Sequence, residues 1–149
     1  MAKTSIKTQI NNALEAGKGI LHMAPCWVPR AFMLPGKRMR LAEQDLFAFG
    51  ANRGAIDERW FSSTTKADNG PGTRDDEGLS YVVGPDGKQF LFIDAISAAG
   101  KDIIGAAMMK QWGRWPLYCK FFDNMGPIPH HLHQLNKHVQ PLGREHKPE

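Results

Sequence analysis

The chain has 149 residues, 42% of them hydrophobic and 23% charged, which excludes wholesale disorder and suffices for one domain with its own core. No apolar run approaches the roughly 20 residues of a membrane span, and the N-terminus lacks the basic-then-apolar order of a secretion signal, so a cytoplasmic protein with no membrane partner is expected. The formal charge of +4 is spread along the chain, and its one basic cluster, Lys37, Arg38 and Arg40, reads as a solvated strand or a local anion contact and not as a nucleic-acid footprint.

In chain order, Ile6, Ile10, Ala13 and Leu14 fall at helical spacing between residues 4 and 17, with Thr4 or Ser5 to cap the start and Gly17 to stop the end. From Gly19 to Pro35 the chain is apolar but broken by Pro25, Pro29 and Pro35, which suits extended segments at a sheet edge. His22, between Leu21 and Met23, reads as a core histidine. Met39, Leu41, Leu46, Phe47 and Phe49 predict one or two strands between Lys37 and Gly50. Asp57 to Gly78 is rich in charge and turn formers and reads as a long loop. Within it, Arg59 and Trp60 offer a cation and a stacking face, with Ser62, Ser63, Thr64 and Thr65 as hydroxyl donors; alternatively, Trp60 and Phe61 anchor the loop to the core.

"LSYVV" and "QFLFI" flank "GPDGK", whose Pro-Asp-Gly predicts a hairpin. Asp94 is then expected to cap a helix that ends at Gly113, weakened at Gly100 and Gly105 by about 1 kcal/mol each. Leu117 to Phe122 reads as a buried strand in which Lys120 alternates with Cys119 and Phe121, facing the interior or solvent. Cys26 and Cys119 stand far apart among large apolar neighbours and read as two buried free thiols. The balance of strands over helices predicts a mainly β (α+β) domain with two accessory helices.

Five of the six histidines lie between His130 and His146. A strand through "PHHLHQ" would put His131 and His133 on one face, a ready pair of metal ligands. A catalytic ion needs about three protein groups and an open position, and the third group is sought among His138, Glu145, His146 and Glu149. Asp123 is a candidate to orient a ligand histidine through its second nitrogen.

"FFDNMGPIPHHLHQ" followed by "GREHKPE" resembles the first metal motif of the cupin superfamily and, within it, the class I mannose-6-phosphate isomerases. "APCWVPR", "GAIDERWFSSTT" and "DNGPGTRDDEGLSYV" resemble bacterial isomerase-like cupins, so the likeness covers most of the chain. It implies a cupin-type β-barrel or jelly roll, a zinc ion, and interconversion of mannose 6-phosphate and fructose 6-phosphate. Carried over residue by residue, His133 matches the family's histidine, His131 takes the place of its glutamine, and Glu149 matches its acidic ligand, with 15 residues between His133 and Glu149.

Two departures qualify the likeness. Histidine at position 131 brings the site closer to cupins whose metal is zinc, iron, manganese or nickel, among which nitrogen ligation does not choose. The chain also stops within the motif, so residues 1–149 are expected to be the N-terminal part of a single cupin-like domain, truncated before the barrel closes. The function expected is metal-dependent aldose–ketose isomerisation of a sugar phosphate, with Arg59 and Lys120 as substrate-binding residues and a homo-oligomer compatible with it. The alternatives are a non-heme iron dioxygenase and a non-catalytic sugar-binding or regulatory cupin.

Overall fold

The computed structural model describes residues 5–117, 119–143 and 146. It is an α+β structure built around two small antiparallel sheets. Helix α1, Ile6–Ala16, starts where Ser5 accepts a hydrogen bond from the Thr8 amide at 3.2 Å and ends at Gly17, as the sequence predicts. At Gly17 a β-carbon would lie 1.9 Å from the Ile20 carbonyl oxygen, so the chain can turn there only without a side chain.

The hairpin also forms where expected. Strands β3, Tyr81–Val83, and β4, Gln89–Leu91, pair antiparallel, and the Asp86 carboxylate accepts the Lys88 amide across the turn. Ile10 and Ala13 of α1 pack with Val82, Phe90, Phe92, Ala95 and Ile96, so hairpin and helices share one apolar core.

The following helix differs from expectation. Helix α2 runs from Phe92 to Ile104, three residues earlier than a cap at Asp94 would allow, with Leu91 at the cap position and Asp94 inside the first turn. Tertiary packing sets this start: Phe92 is buried in the core and its amide donates to the Ser80 carbonyl. Gly105, at φ 87° and ψ 152°, then breaks the helix, and α3 resumes from Ala106 to Trp112 before Gly113 ends it in the left-handed region.

The second sheet has the order β1-β2-β5, from Cys26–Arg30, Ala55–Phe61 and Cys119–Phe122. Strand β1 lies at an edge, as its proline requires, and the register shifts between Val28 and Pro29. Cys26, Val28, Trp60 and Ala67 form a second core. Strand β2 occupies residues assigned above to a loop. Its charged residues alternate, Asp57 and Arg59 on one face and Glu58 on the other, and partners in the fold make that alternation a strand.

Residues 37–50, expected as strands, instead form turns around a short 3₁₀ turn, Glu43–Asp45. Their period of two spans only the pairs Met39/Leu41 and Phe47/Phe49 and is not sustained between them, and Phe47 points into solvent. The loop after β2 is held by buried Glu77, which takes two hydrogen bonds of 2.8 Å from Arg53 and one of 2.5 Å from Asn69. Gly78, at φ 84°, lets the loop press on Trp60: a β-carbon there would sit 2.7 Å from the indole ring.

Three burial expectations are corrected. Strand β5 is an exposed edge, with Phe121 59% accessible. Cys119 is exposed and His22 lies on the surface, so each is a solvent-facing residue in an apolar stretch. The histidine stretch is not a strand: residues 127–135 have no sheet partner among the described residues, and α4, Asn136–Val139, follows. Among the described residues there are four helices and no closed barrel, and no helix is long and apolar enough to cross a membrane.

Two outcomes follow from burial. Burial pushes the Cys26 thiol up to about 11, whereas Cys119 is open to solvent, so a thiol reagent should label one cysteine per folded chain and none in Cys119→Ser, as read by mass spectrometry. Asp57 is fully buried, and neither carboxyl oxygen has a hydrogen-bond partner among the described residues. Burial, then the charge of Glu58, raises it from 3.8 to about 7. The folded state therefore holds a proton that the unfolded chain releases, and Asp57 makes stability fall as pH rises from about 4 to about 7. Asp57→Asn should flatten urea-unfolding midpoints across that window.

Candidate functional site

The site begins with strand alternation. Glu58 and Trp60 share one face of β2, and Lys120, opposite Trp60 on β5, shares it too. The Glu58 carboxylate, 1% exposed, accepts from Arg30 Nε of β1 at 2.5 Å, from Trp60 Nε1 at 2.6 Å and from Lys120 Nζ at 3.2 Å. Lys120 also lies 4.1 Å from the Phe122 ring centre, and Arg30 donates to the Asn69 side chain at 2.5 Å. Two cations on one buried carboxylate leave the cluster at net +1, held by charge-assisted bonds from all three strands.

This cluster forms one wall of a cavity of about 540 Å³, within the size range of small-molecule sites. Phe32, Phe122, Ile128 and Pro129 supply apolar lining, and His131 and His133 complete it. The two imidazoles meet edge to face with centres 4.9 Å apart. His131 Nδ1 lies 2.8 Å from the Pro129 carbonyl oxygen, which can only accept, so Nδ1 carries the proton and Nε2 of the neutral ring keeps its lone pair. An irregular segment thus achieves what a strand was expected to do: it turns both histidines toward one space.

Of the predicted substrate residues, Lys120 lines this cavity. Arg59 does not. It occupies the other face of β2, its guanidinium carbon 5.1 Å from the Trp27 ring centre and 4.8 Å from that of Phe61, because successive strand residues point to opposite sides. Ser63 is buried and engaged locally: its amide donates to Ser80 Oγ and its hydroxyl to the Thr65 carbonyl. Asp123 orients no histidine. It accepts from Arg38 Nε at 3.1 Å and from the Met39 amide at 2.6 Å, which makes the basic cluster a local contact with an anion of the same chain.

Glu145 and Glu149 lie outside the described residues, and His138 and His146 are exposed. Arg30 and Glu58 were missed from sequence. For Glu58 the signal is the alternation of "AIDERWF", whose charge density has the look of a loop, and for Arg30 the local sequence carries none.

As a metal site the donors fit in part. Two adjacent imidazoles, one with its tautomer set by a backbone carbonyl, are the donor chemistry of a divalent-ion site. Among the described residues no group of three histidine, cysteine, aspartate or glutamate side chains stands ready for an ion, and Glu58, across the cavity, is already committed to Arg30, Trp60 and Lys120.

Comparison with protein-family models, curated proteins and solved structures finds no match to this chain. The charge cluster is therefore tested on its own chemistry. Glu58→Gln strands two cations beside the cavity and should destabilise the fold by about 3–5 kcal/mol. Adding Lys120→Met should recover about 1 kcal/mol or more of that loss, seen as non-additivity in a double-mutant cycle by urea unfolding.

Proposed function

We propose that this chain is a metal-dependent sugar-phosphate isomerase of the cupin type, a cytoplasmic enzyme that interconverts an aldose and a ketose phosphate. One observation carries the reading: a histidine pair and a net-positive Arg30–Glu58–Lys120 cluster line a single cavity of about 540 Å³. The excess positive charge favours an anionic substrate, and Phe32 and Phe122 offer apolar surface to the carbon face of a sugar.

In this reading His131 and His133 hold the divalent ion, zinc by the resemblance and iron or manganese by the same donors, and Glu149 is proposed as the acidic ligand. When bound, the ion polarises the carbonyl and the neighbouring hydroxyl oxygen of the open-chain sugar. The chain's own groups do the remaining work. The Pro129 carbonyl holds His131 in the tautomer that presents Nε2, Glu58 fixes Arg30 and Lys120 in place, and the two cations attract the phosphate end. A closed cupin barrel belongs to this proposal, with the sheet β1-β2-β5 as the part of it that bears the site.

The test pairs metal content with turnover. Untagged wild type should carry close to one equivalent of metal by plasma mass spectrometry and convert mannose 6-phosphate to fructose 6-phosphate; His131→Ala/His133→Ala should lose both while keeping its far-UV circular dichroism. Wild type that neither binds a divalent ion nor turns over a sugar phosphate would sink the proposal, and stoichiometric iron with oxygen uptake would replace it by an oxygenase.

A further inference from the structure

The face of the sheet that the proposed chemistry does not use carries a second cavity. Arg59 of the middle strand lines it, with Trp27 of β1 and Phe121 of β5 as its cross-strand neighbours. Its guanidinium lies between the Trp27 and Phe61 rings, and Phe61 meets Phe121 edge to face at 5.1 Å. Among the described residues no carboxylate pairs with Arg59, and its buried Nε has no hydrogen-bond partner. The contrast with Arg30 and Lys120, both tied to Glu58 on the other face, is chemical: Arg59 keeps its charge uncompensated.

The space beside it measures about 380 Å³ and is bounded by Trp27, Arg38, Met39, Phe121, Asp123 and Phe122, the one side chain it shares with the lining of the histidine cavity. Arg38, 75% exposed, is paired with Asp123, so these groups sum to one unmatched positive charge, that of Arg59. Two rings hold the guanidinium from either side in the chain, and its N–H groups, which include the unpartnered Nε, are the donors this cavity offers to an oxyanion. Trp27 and Phe121 add aromatic walls at the same place, and the volume falls within the range of small-ligand sites, roughly 300–1,000 Å³.

We propose that this cavity is a second ligand site, separate from the histidine cavity, which binds a small aromatic anion: the oxyanion on Arg59, the ring against Trp27 and Phe121. The site needs no metal and does not depend on the isomerase reading.

The test uses phenyl phosphate as the probe, with inorganic phosphate and phenol as the two halves of its chemistry, followed by ligand-observed NMR and calorimetric titration. Wild type should bind one equivalent of phenyl phosphate more tightly than either half. Arg59→Gln should weaken binding at least about tenfold, the loss of a charged bidentate contact. Phe121→Ser, a change at an exposed position that leaves the fold intact, should weaken phenyl phosphate severalfold and leave inorganic phosphate unaffected. His131→Ala/His133→Ala should bind as wild type does.

Absence of phenyl phosphate binding to wild type at millimolar concentration overturns the proposal. So does equal binding of inorganic phosphate, or binding lost in the histidine variant and kept in Arg59→Gln, which would place the anion in the other cavity. If Arg59→Gln unfolds, Phe121→Ser decides: unchanged affinity for phenyl phosphate in that variant rejects the site.

Discussion

The carboxylate of Glu58 joins the three strands of the larger sheet. Arg30 reaches it from β1 and Lys120 from β5, while Trp60, two residues along its own strand, closes the last hydrogen bond. Desolvating these charges costs several kcal/mol per ion, and the fold tolerates that because both oxygens are satisfied and both cations have a ring beneath them. The same cluster gives the cavity its positive wall. Structural necessity and binding chemistry therefore fall on the same side chains.

Strand alternation divides the molecule's charged chemistry into two. Along Asp57, Glu58, Arg59 and Trp60 each step changes face, so two cations of similar appearance in the sequence, Arg59 and Lys120, end on opposite sides of the sheet. One shares the Glu58 carboxylate with Arg30; the other is held by aromatic rings and has no carboxylate partner among the described residues. Asp57 shows the same division from the acidic side. Its carboxyl group, buried without a hydrogen-bond partner among the described residues, relieves its position by holding a proton up to about pH 7.

Packing separates support from site. Helices α1 and α2 with the β3–β4 hairpin form one apolar core, and the three-stranded sheet with its Glu77-pinned loop forms a smaller one. The histidine segment belongs to neither. It runs beside the cavity without strand pairing, and its histidines are positioned by local contacts, the Pro129 carbonyl and each other's rings.

Local physical chemistry made several elements legible in the sequence. Ser5 and Gly17 bound α1, Pro-Asp-Gly builds the hairpin, Pro29 marks an edge strand, and Gly113 ends a helix, because each acts through its own backbone within a few residues. His131 and His133 do share one space, but through an irregular segment and not the expected strand, and the sequence left open whether Lys120 faces the interior or solvent. What only the tertiary structure decided depends on partners distant in the chain. Strand β2 exists because Glu58 finds Arg30 and Lys120, 28 and 62 residues away, and without those partners its charges have the composition of a loop. Likewise Phe92 starts a helix early because a core awaits it, and Arg59 leaves the histidine cavity because sheet register assigns it to the other face. Periodicity and capping act over one turn or one strand; the compensation of buried charge acts across the fold, and no local pattern encodes it.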